Sequence, residues 1–241
     1  MYRMFTRRFS QILAATALAA TASMANAAVV YLDFEGIETY PFASGGISID
    51  GYYNGGTASN GNSGTNLGVE FTSSALLLCL NNLGTTCSNT SQGDAGIATS
   101  RTGALYFPSG NPMMNVAAGF DTGFSFVYSQ PFESNTSISI YSGLNGTGSL
   151  LASALLPLTL DGRNGGCDAA YSANYCPFED FSLTFSGVAM SVVFGGTVDR
   201  QVFDDITFGS DVPGGVPEPA TLALFGIGLL GIAATRRRRL S

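Results

Sequence analysis

The 241-residue chain contains no histidine and no tryptophan. Without an imidazole, neither a Ser-His-Asp nor a Cys-His nucleophilic site can be built, and the usual neutral-pH proton shuttle is missing. No Gly-x-Ser-x-Gly, P-loop or dinucleotide fingerprint occurs. Carboxylate chemistry remains. A glycosidase needs two carboxyl groups facing a cleft, and Glu35, Glu70, Glu133 and Glu179 are candidates whose spacing singles out no pair. Two close acidic pairs stand far apart in the chain, Asp33 with Glu35 and Asp204 with Asp205. Four cysteines, Cys79, Cys87, Cys167 and Cys176, allow three disulfide pairings. Their short separations favour two local loops, Cys79–Cys87 and Cys167–Cys176. Zinc is the competing use, but there is no histidine and no Cys-x-x-Cys.

The elements that must position these groups are strands. Residues 28–34, 69–72, 75–80, 104–107, 115–118, 123–129, 149–157, 189–194 and 201–208 are short runs of β-branched, aromatic or apolar residues. Residues 136–142 and 180–186 alternate polar and apolar side chains with period two, as half-buried strands require. A further short strand is expected at 47–50, inside a long Gly-, Ser- and Asn-rich loop over 43–67. Gly143-Leu-Asn-Gly-Thr-Gly reads as a tight turn. The stretch from Asp161 to Asp168 looks faintly like a calcium loop. It lacks the acid at its third position and the closing glutamate, so it reads as a turn closed by Cys167–Cys176. No helix is expected between residues 28 and 215. The fold class is all-β, a single β-sandwich over 28–211.

The two ends are of a different kind. Arg3, Arg7 and Arg8 precede an apolar stretch at 12–20, and Ala25-Asn26-Ala27 offers a small-x-small cleavage site. Residues 1–27 therefore read as a secretory signal peptide. At the other end, a linker at 212–219 contains Pro217-Glu218-Pro219. An uncharged apolar run at 220–235 and a basic tail at 236–241 follow, the tail opening with Arg236, Arg237, Arg238 and Arg239. As a helix the run spans roughly 24 Å, short of the ~30 Å hydrocarbon core by an amount that snorkelling arginines absorb. The four arginines hold that end in the cytoplasm. Between the ends only Arg101, Arg163 and Arg200 stand against sixteen acids, which leaves a net charge of −13. Such a surface repels nucleic acid and anionic lipid and attracts divalent cations.

The order Pro-Glu-Pro, short apolar helix, arginine cluster resembles the PEP-CTERM sorting signal of Gram-negative bacteria. That resemblance implies recognition of Pro217, Glu218 and Pro219 by exosortase, a membrane-embedded protease-transpeptidase. It also implies an inner-membrane anchor on the periplasmic side before processing, then delivery to the cell surface or extracellular matrix alongside exopolysaccharide. The segments 123–128, 140–152 and 203–209 are similar, more loosely, to the jelly-roll domains of exported proteins, carbohydrate-binding modules among them. In such domains the first and last strands lie side by side. The resemblance implies a structural calcium ion held by Asp33, Glu35, Asp204 and Asp205 with backbone carbonyls. The alternative is that alternating strands turn these acids to solvent. Exopolysaccharide is the expected ligand. Tyr52, Tyr53, Tyr171 and Tyr175 lie in loop-like stretches and offer faces for sugar stacking, unless they are buried, hydrogen-bonded rings. The expectation is an exported, non-enzymatic protein, with a carbohydrate-binding module or a polysaccharide hydrolase or lyase using paired carboxylates as rivals.

Overall fold

The computed structural model describes residues 29–43, 45–72, 74–80, 102–110, 112–132, 135–162, 165–167, 176–196 and 201–214. The expected signal peptide at 1–27, the tripeptide 217–219, the apolar run 220–235 and the basic tail lie outside them. Among the described residues no helix is long and apolar enough to cross a membrane.

Among the described residues eleven strands form: Val30–Leu32 (β1), Val69–Phe71 (β2), Leu76–Cys79 (β3), Gly103–Tyr106 (β4), Met113–Phe120 (β5), Gly123–Ser129 (β6), Ser137–Tyr141 (β7), Leu150–Leu155 (β8), Glu179–Thr184 (β9), Ala189–Gly195 (β10) and Val202–Phe208 (β11). The expected strand at 47–50 shrinks to one bridge, Ser48 with Leu76. Two 3₁₀ turns, Tyr52–Asn54 and Leu144–Gly146, interrupt the loops. All pairings are antiparallel. One sheet has the order β3-β4-β11-β6-β9, with β1 also on β11, and the other has the order β2-β5-β10-β7-β8.

Alternation decides which face each strand buries. In β7 Ile138 and Ile140 point inward and are fully buried, while Ser137, Ser139 and Tyr141 face the other way. Phenylalanines fill the space between the sheets. Phe194 of β10 lies 5.0 Å from Phe203 of β11 and 5.2 Å from Phe107. Phe126 lies 5.4 Å from Phe203. Each fully buried phenylalanine contributes about 1.5–3 kcal/mol, so this aromatic layer is the main cohesion between the sheets. Strands β6 and β11 are buried along their whole length. The second side of their sheet carries its own cluster of Leu78, Leu80, Ala104, Val127, Phe178 and Val202. A strand buried on both faces reads as a continuous apolar run and loses its period-two signature.

The end of the domain is pinned. After β11 the Gly209 N–H bonds to the Gly123 carbonyl (2.9 Å), the Ser125 hydroxyl donates to the Ser210 carbonyl (3.1 Å), and the Gly214 N–H reaches the Thr207 hydroxyl (2.9 Å). Gly123 permits this crossing, because a Cβ there would stand 2.8 Å from Asp211 N and Ser210 C. The chain is therefore tied to the sandwich up to Gly214.

Candidate functional site

Strand β11 changes neighbours halfway along. Val202 and Phe203 pair with β4, whereas Ile206 to Phe208 pair with β1. At the change, its register against β6 slips by one residue between Asp204 and Thr207. The extra residue is a bulge, and Asp205 takes it up in the left-handed region with φ 51°. Aspartate tolerates that conformation better than most side chains. The Asp205 N–H bonds to Asp204 Oδ1 (2.7 Å), and the Thr207 hydroxyl donates to the Asp205 carbonyl (3.2 Å).

The bulge turns the Asp205 carboxyl into the gap beside β1, where it is fully buried. Its Oδ1 accepts a hydrogen bond from the Tyr31 hydroxyl. Its Oδ2 is buried with no hydrogen-bond partner. Burial pushes the Asp205 pKa up to about 6, against the Tyr31 bond, and the negative charges of Asp33, Glu35 and Asp180 push the same way. Asp33 is half-buried and its pKa is raised, first by burial and then by Glu35, with the Glu35 N–H on its Oδ1 (3.2 Å) opposing.

Asp33, Glu35 and Asp205 thus share one electrostatic neighbourhood. Glu35, however, is committed elsewhere. Its Oε1 accepts the N–H groups of Thr102 (2.8 Å) and Gly103 (2.9 Å), and its Oε2 accepts the Thr102 hydroxyl. This clasp fixes the start of β4 beside the end of β1. It needs glycine at 103, where a Cβ would fall 2.1 Å from the Phe34 carbonyl oxygen. Asp204 is fully buried and tied to its neighbour's N–H. Among the described residues no three or more Asp, Glu, Cys or His side chains stand together at metal-binding spacing. Asp205 keeps one buried carboxylate oxygen without a hydrogen-bond partner beside the half-buried Asp33, whereas Glu35 acts as a clasp.

The tyrosines correct the sequence reading. Tyr52 and Tyr53 are buried, not sugar platforms. The 3₁₀ turn at Tyr52–Asn54 swings both rings inward, 5.1 Å apart and edge to face. The Tyr53 hydroxyl accepts the Phe34 N–H (3.0 Å), and burial drives its pKa well above the usual phenol range. Tyr171 and Tyr175 lie outside the described residues.

The candidate carboxylates for hydrolysis sit in different places. Glu35 is the β4 clasp, Glu70 faces outward on β2, and Glu179 on β9 accepts the Leu160 N–H (3.0 Å). Glu133 is outside the described residues. Cys167 and Cys176 form a disulfide with Cα atoms 5.7 Å apart, closing the turn that follows Asp161. Cys79 is also disulfide-bonded, and its expected partner Cys87 lies outside the described residues.

Sequence reasoning missed a depression on the outer face of the five-stranded sheet. It encloses about 260 Å³ between Asn54, Glu70, Asn115, Ala117, Leu144 and Asn145, with Gly68 at its rim. Glu70 and Asn115 are register partners across β2 and β5. The 3₁₀ turn at Leu144–Gly146 forms one wall. Asn115 donates to Asn145 Oδ1 (2.9 Å) and accepts the Asn145 N–H (2.8 Å), and Ser191 clamps Gly146 N (2.9 Å) and Gly143 O (2.6 Å). Its three asparagines come from distant segments, so only the Gly-Leu-Asn-Gly turn gave a local signal.

With this geometry in hand, residues 215–239 match the PEP-CTERM protein-sorting motif, starting one residue after the last pinned glycine. The chain therefore carries the signal that directs exported proteins to exosortase. Among solved structures, the K1 cleaved adhesin domain of Lys-gingipain from Porphyromonas gingivalis W83 is similar at 10% identity, over 76% of this chain and 98% of that one, with a TM-score of 0.40. A family 6 carbohydrate-binding module is 23% identical over 50% of this chain and 82% of its own length, with a TM-score of 0.30. The catalytic domain of a GH87 alpha-1,3-glucanase shows 13% identity over 64% of this chain and 30% of its own, with a TM-score of 0.32. No curated protein sequence matches the chain.

Proposed function

We propose that this is an exported, non-enzymatic protein of the cell surface or extracellular matrix. The signal peptide at 1–27 sends it across the inner membrane, and the run at 220–235 holds it there. Exosortase then processes it at Pro217-Glu218-Pro219. The observation that carries the reading is the sorting motif at 215–239, set directly behind the pinned end of an all-β domain. The lack of histidine and the scatter of Glu35, Glu70 and Glu179 support a non-catalytic role. Intact mass of the native protein, from cells with and without exosortase, tests it. The expected result is loss of the C-terminal segment only where exosortase is present; identical masses in both would overturn it.

The strand orders β4-β11-β6-β9 and β5-β10-β7-β8 support a jelly roll, since from β4 to β11 successive strands alternate between sheets except at the β7–β8 hairpin. A calcium ion at the β1–β11 junction belongs to the same reading. Asp205 and Asp33 would hold it with backbone carbonyls, and it would supply the positive charge that the buried Asp205 oxygen lacks. Millimolar calcium is expected to raise the melting temperature over a chelated sample, and coincident melting curves would remove the ion.

A second reading, polysaccharide binding, is favoured by the depression around Glu70. A carboxylate flanked by amides suits the hydroxyl pairs of a neutral sugar. Retention on immobilised exopolysaccharide that falls in Glu70→Gln supports it, and equal retention of both proteins would count against it.

A further inference from the structure

Asparagine, then any residue but proline, then serine or threonine is the acceptor triplet for an N-linked sugar, and it must stand on the surface to be used. Two such triplets fall among the described residues, Asn135-Thr136-Ser137 and Asn145-Gly146-Thr147. A third, Asn89-Thr90-Ser91, lies outside them.

The fold treats the two differently. The first runs into β7, where Thr136 is buried and its hydroxyl accepts the Gln201 amide (2.7 Å). Its Ser137 is paired on both sides, with Leu155 and with Gly195. No enzyme can read that triplet without pulling a strand out of the middle of its sheet. The second triplet is the tip of the β7–β8 hairpin, outside both strands, and its Asn145 and Thr147 are exposed. Asn145 stands in the left-handed region with φ 57°, which asparagine tolerates, and Gly146 follows at φ 68°.

The acceptor amide is held in place and still open to reaction. Asn145 Oδ1 accepts the Asn115 amide (2.9 Å) and its backbone N–H goes to Asn115 Oδ1 (2.8 Å), bonds that fix the side chain without using Nδ2. The same side chain lines the depression around Glu70, so a sugar linked to Nδ2 starts at that depression. Its volume of about 260 Å³ is that of roughly nine liquid waters, room for a single ring. Asn54, Glu70 and Asn115 present amides and a carboxylate to the hydroxyls of such a ring.

We propose that Asn145 carries an N-linked glycan whose first sugar lies in this depression. The donor class is an oligosaccharide on a lipid diphosphate. Asn145 Nδ2 bonds to the anomeric carbon, and the bond from that carbon to the diphosphate oxygen breaks. The lipid diphosphate leaves with the electron pair, a base of the transferase takes the Nδ2 proton, and nothing is oxidised or reduced. This goes beyond reversible retention of polysaccharide, because a covalent link survives denaturation.

Mass spectrometry of the tryptic peptide 102–163, from denatured protein purified from the cells that make it, tests the linkage. Arg101 and Arg163 bound the peptide, which holds both described triplets and none of the C-terminal signal, so its mass is independent of exosortase. The wild-type peptide is expected to exceed its amino-acid mass by a whole number of sugar residues, and fragmentation to place them on Asn145. Asn145→Gln and Thr147→Val are each expected to lose the entire excess. Asn135→Gln is expected to keep it, and so is Thr147→Ser, which retains the hydroxyl bonded to the Leu144 carbonyl (2.7 Å). A wild-type peptide at its bare amino-acid mass would overturn the proposal. So would an excess that survives Asn145→Gln, or one that disappears in Asn135→Gln.

Discussion

Asp205 holds one carboxylate oxygen against the Tyr31 hydroxyl and leaves the other buried and unbonded. That asymmetry fixes the sign of its pH dependence. Its pKa in the fold, about 6, lies above the ordinary carboxylate value of 3.8. The unfolded chain releases this proton first as pH rises, so the group's contribution is fully present below about pH 4. It is lost as pH climbs to about 6. In chelator, the melting temperature is expected to fall across that window, and Asp205→Asn to flatten the fall. Thermal melts from pH 4 to 7 check both, and added calcium is expected to reverse the trend by favouring the ionised form. Tyr53→Phe strands the Phe34 N–H in the core and is expected to cost about 1–2 kcal/mol in denaturant unfolding, with no change in polysaccharide retention.

At the scale of elements, Gly103 is the tightest test of the β1–β4 junction. Gly103→Ala drives a methyl into the Phe34 carbonyl and is expected to cost about 2–4 kcal/mol, read as a lower denaturant midpoint at unchanged slope. Much of this level was legible in the sequence. Ile138 and Ile140 alternating with Ser137 and Ser139 announced β7, and the glycine turn announced the hairpin to β8. The bulge in β11 was not legible, because Val202 to Phe208 are all buried and the pattern that would expose a slipped register is absent. Asp204 and Asp205 fall within the expected last strand, but Asp33 and Glu35 lie just past the end of β1, and the diversion of Glu35 to Thr102 and Gly103 depends on a contact 67 residues away. Tyr52 and Tyr53 misled for a related reason. A Gly-, Ser- and Asn-rich loop reads as solvent-exposed, yet one 3₁₀ turn anchors it with two inward rings.

At the scale of the whole molecule, the acidic composition, the paired sheets and the sorting motif fit one passage out of the cell. Replacing Pro217-Glu218-Pro219 with three alanines is expected to leave the chain uncut and in the membrane fraction, which immunoblotting of fractionated cells reads directly. The pinned strap adds a constraint of distance. Gly214 is fastened to Thr207, and Pro217 follows three residues later, so Pro217 can stand no more than ~11 Å from Gly214 and the end of the tripeptide no more than ~18 Å. Any enzyme that cuts there must work close to the substrate's own folded body. A flexible spacer of ten Gly-Ser residues inserted after Gly214 is expected to quicken maturation in pulse-chase, as slack in a leash frees the hand that must unclip it.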